Sequence, residues 1–406
     1  MGRPEYEAAC HVVRALQDAG HDAVFAGGCV RDRLLKTEEP KDYDVATSAR
    51  PEEVKALFPG SKGVGEVFAV VLVRHEGVTT EVATFRKDGP YGDGRRPDYV
   101  EVGSATIRED AARRDFTING MFEDPYADEA SRLKDFHGGK EDLERKCVRA
   151  IGDPAERIAE DRLRMLRAVR FSARFQFQIE EKTRQAIVRH AAELKSVSRE
   201  RIGGEVLIML SHPTRAHAVQ MLFDLGLDAA IFGSSSLGSC SRLSALPSDA
   251  FEPAILAAWA LDRGMSGDVA AELRIALKLS NESEQAVRNA LRIHDQLLAD
   301  WQAAGVALRK RIASHCGYSD ALALLSSTDS ESAASIVREV DILSQGIGLT
   351  PNPLLSGADL ISAGYGPGPK FAFVLDTVYD AQLAGEVSTR DEALVVAKRT
   401  FGTHSA

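Results

Sequence analysis

The pattern of apolar and polar positions predicts that the chain begins with a mixed α/β unit. Apolar residues recur at helical spacing over residues 4–19, and a short apolar run at 23–26 predicts a buried strand. Two strand-like runs follow at 67–75 and 79–86, and Glu76-Gly77 between them is a typical hairpin turn. This alternation of helix and strand patterns favours a sheet covered by helices.

From about residue 150 the strand pattern nearly disappears and helical periods dominate. A Ser- and Gly-rich stretch at residues 233–250 predicts a loose connection within this helical part. We therefore predict an α/β head followed by all-α neck, body and tail domains. The predicted bounds are 1–148 for the head, 149–215 for the neck, 216–345 for the body and 346–406 for the tail.

The bulk composition excludes several classes of protein. The chain has 406 residues, of which 44% are hydrophobic, and it contains no apolar run of the about 18 residues that a membrane span requires. The N-terminal sequence lacks the apolar core of a signal peptide, and the five cysteines are scattered without a CxxC pair. We therefore expect a cytoplasmic protein with free thiols and no membrane association.

Charge is distributed unevenly along the chain. The formal net charge of −10 is not typical of a nucleic-acid-binding protein. Residues 149–215 nevertheless contain 14 Lys and Arg against 9 Asp and Glu, which gives this segment a net charge of +5. A solvated helical face and an RNA-binding face share this composition, so charge alone leaves both interpretations open.

Residues 25–47 carry the most informative arrangement of polar groups. An apolar run ends at Gly27-Gly28, and Arg31 follows in the first turn of a predicted helix over residues 29–36. Glycines let the backbone approach a triphosphate closely, a helix N-terminus favours anions, and arginine neutralises phosphate with forked donors. A plain turn has the same sequence, but the combination favours a phosphate site.

Two carboxylates follow this turn. Asp42 and Asp44 are predicted on a strand over residues 42–46, where a spacing of two places both side chains on one face. Two such carboxylates can hold Mg²⁺ and promote attack of a 3′-hydroxyl on an α-phosphate. A solvated pair on an edge strand is the alternative for the two acids alone, whereas the order of strand, GGxVRD, helix and DxD is more specific.

The stretch FAGGCVRDRLLKTEEPKDYDVAT resembles the catalytic signature of the class II tRNA nucleotidyltransferase and bacterial poly(A) polymerase family. The resemblance implies that the head is a polymerase-β-like nucleotidyltransferase palm. It implies that Asp42 and Asp44 bind Mg²⁺ and that Gly28 and Arg31 contact the incoming nucleotide. The resemblance covers residues 20–215 and 350–400 and fades between them.

The resemblance also assigns a third acid and a loop. Glu81, in TTEVATFR, matches the family acid that completes the metal cage or accepts the 3′-hydroxyl proton. A solvent-facing strand glutamate is the alternative. The polar stretch at residues 87–102 resembles the flexible loop that CCA-adding enzymes use to switch from C to A addition, although an ordinary surface loop has a similar composition.

The segment DAARRDFTINGMF, residues 110–122, resembles the motif with which the family recognises ribose. Arg113 and Arg114 supply positive charge, and Asp115 and Asn119 lie four residues apart, which places them on one face of a predicted helix. In the family, these groups distinguish ribonucleotides from deoxyribonucleotides through the 2′-hydroxyl. The alternative is a helix with a salt-bridged aspartate.

The segment AEDRLRMLRAVRF, residues 159–171, is predicted to be one helix with Asp161, Arg164, Arg167 and Arg170 along a polar stripe. A solvated face is the alternative. In the family, the aspartate and the first arginine form an amino-acid template for the Watson–Crick edge of CTP or ATP. Asp161 would accept from an exocyclic amine and Arg164 would donate to the ring, while Arg167 and Arg170 would support base and phosphates.

Two further segments complete the resemblance. Residues 198–210 look like the next neck helix, in which Arg201 and Glu205 would hold the base-reading helix in place. The terminal segment resembles the RNA-binding tail of the family. Its GPGPK sequence is predicted to open a helix whose N-terminus, with Lys370, holds a phosphate, and a purely structural turn is the alternative.

The sequence therefore predicts an RNA nucleotidyltransferase that adds CCA, or its terminal A, to the acceptor end of tRNA from CTP and ATP with Mg²⁺. A bacterial poly(A) polymerase and an A-only tRNA nucleotidyltransferase share every motif described above and stay open as alternatives. A non-catalytic RNA-binding relative is the alternative from another class. No protein partner is implied.

Overall fold

The computed structural model of the protein describes residues 3–36, 40–64, 69–89 and 99–403. The chain divides into two compact units, Met1–Ser236 and Leu237–Ala406. The finer division into four domains stays a prediction. Parts of the predicted strand at 67–75 and most of the predicted loop at 87–102 lie outside the described residues.

The strands of the described chain all lie in the first unit. They are β1 (Ala23–Ala26), β2 (Val45–Thr47), β3 (Lys62–Val64), β4 (Val70–His75), β5 (Val78–Thr84), β6 (Arg86–Asp88), β7 (Val100–Val102), β8 (Phe122–Glu123), β9 (Leu133–Lys134), β10 (Cys147–Val148) and β11 (Gln178–Ile179).

The helices of the first unit surround these strands. They are α1 (Pro4–Asp18), α2 (Gly28–Leu35), α3 (Pro51–Leu57), α4 (Ile107–Ala112), α5 (Glu129–Arg132), α6 (Gly139–Glu144), α7 (Pro154–Glu160), α8 (Arg164–Phe175), α9 (Glu181–His190), α10 (Arg199–Leu210), α11 (Arg215–Asp224) and α12 (Leu227–Phe232), with 3₁₀ turns at Thr117–Asn119 and Ala191–Ser196.

A mixed sheet of seven strands forms the centre of the head, in the order β3-β4-β5-β2-β1-β8-β9. Its neighbours are antiparallel except β2 and β5, which run parallel. The predicted hairpin between β4 and β5 is confirmed: Glu76 and Gly77 have φ angles of 48° and 85°, the positive values that a two-residue hairpin turn requires. The sheet thus brings β2 and β5, which carry the predicted acids, next to each other.

The two faces of the sheet are covered differently. Helix α1, predicted from its apolar spacing, packs against β1, β2 and β5 and buries Val12, Val13 and Leu16. The other face is buried in a cluster that includes Val24, Phe85 and Phe122. Because successive residues of a strand point to opposite faces, the two sides of β1 have separate cores.

The second unit is helical in its described residues. Its helices are α13 (Ser241–Ala245), α14 (Glu252–Asp262), α15 (Val269–Leu277), α16 (Asn281–Ala299), α17 (Val306–Ala313), α18 (Tyr318–Ser326), α19 (Ser330–Leu343), α20 (Gly357–Ser362), α21 (Lys370–Ala384) and α22 (Arg390–Thr403).

Two apolar clusters stabilise the second unit. One is formed by residues of α16 to α19 around the fully buried Trp301. The other is formed by residues of α20, α21 and α22 around Leu360. The predicted loose connection at residues 233–250 is wrong for α13, which buries Leu243 and contacts α14. Of the helices in the described residues, none has the length and apolar character needed to cross a membrane.

Candidate active site

The two predicted metal-binding aspartates lie immediately before strand β2. The strand begins at Val45, three residues later than predicted, so Asp42 and Asp44 are not on the strand itself. Val45 pairs with Val82 of β5 in parallel register, which places Asp44 beside Glu81. All three acidic residues are exposed to solvent. Two neighbouring strands therefore bring the predicted acids to one region of the head.

Asp44 is electrostatically coupled to the other two acids. The pKa of its carboxyl is raised from 3.8 to about 6, first because the surrounding protein removes water from it and second because Glu81 repels its negative charge. Asp42 adds a smaller repulsion, and Arg114 opposes the shift. Although part of the Asp44 residue is open to solvent, its carboxyl thus experiences a crowded and acidic environment.

The acidic groups fit a divalent cation that is shared with substrate. Within the described part of the chain, no three or more His, Cys, Asp or Glu side chains are grouped closely enough to hold a metal ion by themselves. Mg²⁺ commonly takes only one or two carboxylates and keeps phosphate and water oxygens in its shell. Mutual repulsion at Asp44 is the condition that such a cation relieves, so Asp42 and Asp44 fit this role better than that of a closed structural site.

The raised pKa of Asp44 predicts a gain of stability when its charge is removed. In metal-free buffer at about pH 7.5, we expect Asp44→Asn to raise the Tm by roughly 1–3 °C. The folded protein binds more protons than the unfolded chain between 3.8 and about 6, so the ionised carboxylate lowers stability above this window and has no effect below it. Thermal melts at about pH 7.5 and pH 4 measure the difference; a lower Tm for the variant at the higher pH would contradict the prediction.

The turn between β1 and α2 depends on glycine. Gly27 has a φ of 73°, a left-handed conformation that side chains disfavour, and a Cβ at this position would lie 2.8 Å from Nη1 of Arg114. Helix α2 begins at Gly28, so its N-terminal end opens toward the same space as the Arg114 side chain. The positive end of a helix and an arginine together favour an anion there.

Arg31 is buried and held from several sides. Its guanidinium donates to Asp32 Oδ1 at 2.8 Å and to Asn119 Oδ1 at 2.5 Å, and only 4% of the residue is exposed. The guanidinium carbon also lies 4.6 Å from the centre of the Phe175 ring. These contacts orient Asn119, while the predicted contact of Arg31 with phosphate stays a prediction.

The ribose-recognition segment is not helical where the sequence predicts it. Helix α4 ends at Ala112, and only a 3₁₀ turn follows at Thr117–Asn119, so Asp115 lies outside any helix. The two predicted side chains nevertheless meet, because Nδ2 of Asn119 donates to Oδ1 of Asp115 at 3.2 Å. The predicted helical conformation is therefore wrong, and their contact with a ribose hydroxyl stays a prediction.

Asp110, which the sequence analysis passed over, holds the arginine pair. Its carboxylate accepts from Arg113 Nε at 2.8 Å and from Arg114 Nη2 at 3.0 Å, and the residue is 1% exposed. Burial acts to raise the pKa of Asp110, but the charges of the two arginines lower it below its usual range. The spacing of three and four residues on α4 was the signal that could have identified it.

Asp115 joins the head to helix α8. Its Oδ2 accepts from Nε of Arg167 at 2.7 Å and from Nη2 of the same residue at 2.5 Å. Burial acts to raise the pKa of Asp115, yet the charge of Arg167, with hydrogen bonds from Arg167, Asn119 and the backbone of Phe116, lowers it overall. The carboxylate is therefore ionised at neutral pH.

This ion pair predicts a pH-dependent loss of stability in Asp115→Asn. At pH 7 we expect the variant to lose roughly 2–3 kcal/mol of the free energy of unfolding, because Arg167 loses its charged partner. The lowered pKa means that the contribution is present above the ordinary carboxyl pKa of about 4 and is lost as the pH falls through the folded value. Urea unfolding between pH 7 and about pH 3 checks this, with the exposed Asp128→Asn as control. A difference from wild type that persists unchanged in acid would contradict the assignment.

The base-reading segment is broken into two helices. Helix α7 ends at Glu160 and α8 begins at Arg164, so the predicted single helix over residues 159–171 is wrong and Asp161 lies in the break. Only the arginines at 164, 167 and 170 share a stripe of α8. The break changes the direction in which Asp161 is presented relative to the arginines.

Neighbouring residues hold both predicted template groups. Arg201 Nη2 donates to Asp161 Oδ2 at 2.7 Å, and Leu163 N donates to Oδ1 at 3.1 Å. Arg164 Nη1 donates to Glu160 Oε2 at 2.5 Å and to a backbone carbonyl of α7 at 2.7 Å. Glu160 is thus a second residue that the sequence analysis missed, although it directly precedes Asp161.

Helix α10 contacts the base-reading segment at two points. Arg201 pairs with Asp161, and Glu205 accepts from Arg170 Nε at 2.7 Å and lies 3.7 Å from Arg167 Nη1. One turn of α10 therefore touches the aspartate of the break and two arginines of α8. These contacts agree with the holding role that the sequence predicts for Arg201 and Glu205.

All ten predicted nucleotide-binding residues line one cavity of about 480 Å³. These residues are Gly27, Gly28, Arg31, Arg114, Asp115, Asn119, Asp161, Arg164, Arg167 and Arg170. The lining also includes Asp44 and brings seven arginines together with three aspartates, a balance that favours a polyanion. Arg174, one of the seven, continues the stripe of α8 by four residues and could have been found from that spacing.

A larger cleft of about 1020 Å³ adjoins the same carboxylates. It shares Gly28, Asp44, Arg170 and Arg174 with the smaller cavity, and Asp42 lines only the larger one. Glu81 lines neither, so its link to the site is its position beside Asp44. Asp44 therefore lies where the two cavities adjoin, whereas Asp42 faces only the larger cleft.

The structure bears only in part on two further predictions, the switching loop and the helix that begins at GPGPK. Strands β6 and β7 pair to form the stem of the predicted switching loop, while residues 90–98 at its centre lie outside the described residues. Helix α21 begins at Lys370, which confirms that GPGPK opens a helix. The loop's role in switching and the contact of Lys370 with RNA stay predictions.

Sequence comparison finds two families in the first unit. The family described as poly A polymerase head domain matches residues 23–149, and the probable RNA and SrmB-binding site of polymerase A matches residues 176–234. A CCA-adding enzyme of Geobacillus kaustophilus is 42% identical over 57% of this chain and 56% of its own length. The chain thus spans a little over half the length of this relative. A CCA-adding enzyme of Limosilactobacillus fermentum is 32% identical over 95% of both chains.

Solved structures match over nearly the whole chain. The Bacillus stearothermophilus CCA-adding enzyme in complex with CTP has a TM-score of 0.83 and 28% identity, with 99% of each chain covered. A Thermotoga maritima CCA-adding enzyme complexed with tRNA has a TM-score of 0.68 at 19% identity, covering 99% of this chain and 96% of the other. These likenesses confirm the predicted fold class, a polymerase-β-like nucleotidyltransferase head followed by helical domains.

Proposed function

The chain belongs to the CCA-adding enzyme family, and on this premise we propose that it adds CCA, or its terminal A, to the 3′ end of tRNA from CTP and ATP. The observation that carries the proposal is the convergence of all ten predicted nucleotide-binding residues on one cavity beside Asp42 and Asp44. The addition is template-independent in this proposal, because protein side chains and not a nucleic-acid strand face the base.

Asp161 and Arg164 select the base. The exocyclic amine that C and A share donates to Asp161, and Arg164 donates to a ring nitrogen or carbonyl. A carboxylate accepts about four hydrogen bonds, so Asp161 keeps acceptor capacity beyond its bonds from Arg201 and Leu163. A G or U in this position would present a carbonyl oxygen to a carboxylate and leave both groups unsatisfied.

Asp115 and Asn119 read the sugar. Asn119 is oriented by Arg31 and Asp115, and Asp115 is oriented by Arg167, so both groups are held before the nucleotide arrives. Held groups lose little conformational entropy on binding, which favours discrimination of a 2′-hydroxyl. Arg114 and the N-terminal end of α2 at Gly28 take the triphosphate on the other side of the cavity.

The predicted cofactor is Mg²⁺, held by Asp42 and Asp44 with Glu81 beside them. When bound, the ion would neutralise charge that develops on the α-phosphate and favour the ionised form of the attacking hydroxyl. Asp44 lines both cavities, and Glu81, which lies beside Asp44, would take up the proton of the attacking hydroxyl. The chain's own contribution is therefore to align the two substrates at the aspartates.

The larger cleft takes the terminal nucleotides of the RNA. Because Asp44 lines both cavities, a 3′-hydroxyl in the larger cleft would lie close to the α-phosphate of a nucleotide in the smaller cavity. A bond forms between that hydroxyl oxygen and phosphorus, the bond to the β-phosphate bridge breaks, and pyrophosphate leaves. RNA contacts of this kind follow shape and backbone more than sequence.

The match of residues 23–149 to the poly A polymerase head supports a second candidate, a poly(A) polymerase with the same chemistry. An A-only tRNA nucleotidyltransferase shares the same site residues. Neither candidate alters the assignments of Asp42, Asp44 or Asp161.

An addition assay separates the candidates. The protein is incubated with CTP and ATP, one of which is labelled. Three RNAs are tested in separate reactions: tRNA that ends at its discriminator base, tRNA that ends in CC, and an unrelated RNA. Addition of C, C and A to the first substrate supports the CCA activity. A single A on tRNA-CC alone identifies the A-only enzyme, long A tracts on any RNA identify the polymerase, and RNA binding without addition identifies a non-catalytic module.

A further inference from the structure

Tyr43, between the two aspartates, is buried while both of its neighbours are exposed. Only 4% of Tyr43 is accessible, and its ring centre lies 5.2 Å from that of Phe25 and 5.4 Å from that of Tyr6. The side chains of residues 42, 43 and 44 therefore point outward, inward and outward in turn. The buried ring thus lies between two residues that are exposed to solvent.

The backbone alone fixes only part of this segment. The ladder between β1 and β2 begins where Val45 pairs with Phe25, and the amide of Ala26 donates to the carbonyl of Asp44 at 2.9 Å. Asp42 lies two residues before that tie. Because Tyr43 sits two positions before Val45, its ring reaches the same side of the sheet as Phe25. Packing of this ring is therefore suited to hold the start of the segment.

Arg33 links Tyr43 to the helix that carries the glycine turn. Arg33 is on α2, hydrogen-bonds the side chain of Tyr43, and pairs with Glu123 of β8 at 3.2 Å. Its guanidinium also lies 4.7 Å from the centre of the Tyr6 ring. Glu123 is 7% exposed, so its charge needs this partner. Helix α2, strand β8 and the aspartate segment thus meet at one buried polar contact.

We infer that Tyr43, held by Arg33 and Glu123, is a positioning residue that sets Asp42 and Asp44 at the spacing that a divalent cation requires. This inference rests on the proposed function, because it assigns the buried contact to the metal site of that function. Replacing a residue that orients metal ligands without contacting the metal itself commonly changes metal affinity or activity about 10–100-fold. Tyr43 lines neither the nucleotide cavity nor the larger cleft, so it acts only through the aspartates.

The test compares two variants with a matched control. Tyr43→Phe keeps the ring and removes the hydroxyl, and Tyr43→Leu removes the ring as well. Phe85→Leu removes a buried aromatic that belongs to the other core of the same sheet and lines neither cavity. For each protein, Mn²⁺ affinity is measured by electron paramagnetic resonance, together with Tm, tRNA affinity, and kcat and KM for ATP with tRNA-CC.

The expected result is a graded loss of metal binding. We expect Tyr43→Leu to weaken Mn²⁺ binding at least about 10-fold and to lower kcat in parallel, with a smaller effect in Tyr43→Phe and unchanged tRNA affinity. Phe85→Leu should lower Tm without weakening Mn²⁺ binding. Unchanged Mn²⁺ affinity in Tyr43→Leu, or an equal loss in Phe85→Leu, would overturn the inference, because the ring would then be ordinary core.

The same measurements separate this inference from the proposed function. If wild-type protein binds Mn²⁺ but transfers no nucleotide, the proposed function fails while the Mn²⁺ affinities still decide the role of Tyr43. If Asp44→Asn binds Mn²⁺ as well as the wild-type protein does, or if the wild-type protein binds none, the inference is overturned as well. In either case there is no metal site at the aspartates for Tyr43 to position.

Discussion

Replacing Asp42 with alanine is expected to abolish nucleotide addition, with kcat reduced at least about 10³-fold, while tRNA affinity is unchanged. Asp42 is exposed and lies before the first residue of β2, so its removal does not disturb the sheet. Activity would be lost because the site could no longer hold a divalent cation beside the bound nucleotide. RNA affinity is expected to survive because RNA contacts follow shape and backbone over a surface much larger than one carboxylate.

The measurement is single-turnover addition of labelled AMP to tRNA-CC beside a filter-binding titration of the same tRNA. Asp18→Ala, which removes an exposed aspartate at the end of α1, serves as the control for a general loss of surface charge. Addition by Asp42→Ala at a rate near that of Asp18→Ala would refute the metal role. A parallel loss of tRNA affinity would instead place Asp42 in RNA binding.

The second large effect is expected in nucleotide selection. Asp161→Ala should reduce the preference for CTP and ATP over UTP and GTP by about 5- to 150-fold, which corresponds to a loss of roughly 1–3 kcal/mol of discrimination. Without the carboxylate, an exocyclic amine loses its acceptor and a carbonyl oxygen is no longer repelled. Asp161→Asn should go further, because its amide can donate to the carbonyl of U or G.

The ratio of kcat/KM for each nucleotide with tRNA-CC measures this selectivity. Asp161 also pairs with Arg201, so Arg201→Met is the matched control that removes the ion pair but keeps the carboxylate. If Arg201→Met reduces selectivity as much as Asp161→Ala, the effect comes from a displaced segment. Unaltered selectivity in Asp161→Ala would remove the template assignment.

Several of the site's contacts could be predicted because they follow from short spacings. The positive φ values of Glu76 and Gly77 are those of the predicted hairpin turn, and Gly27 ends the predicted strand with a left-handed residue. The sequence predicts Asp115 and Asn119 on one face of a helix, and the two side chains do lie together, although a turn and not a helix brings them there. Local geometry allows few arrangements over four residues, so residues this close in the chain stay neighbours in either conformation.

Other contacts could not be predicted, because they join residues far apart in the chain. Arg31 and Asn119 are 88 residues apart, Asp115 and Arg167 are 52 apart, and Asp161 and Arg201 are 40 apart. No local period indicates such pairs. Each depends on how the sheet, α8 and α10 pack, and burial then selects the partner that satisfies the charge.

The sequence by itself determined which chemical groups form the candidate site: the glycine turn, the two aspartates and the three arginines of α8 stand in fixed order along the chain. Only the tertiary structure decided where Asp161 leaves its helix, which arginine each carboxylate accepts from, and that the ring of Tyr43 lies between two exposed acids. The physical reason is range. Periodicity and turn chemistry act over a few residues, whereas desolvation and ion pairing act on whatever the packed chain brings together.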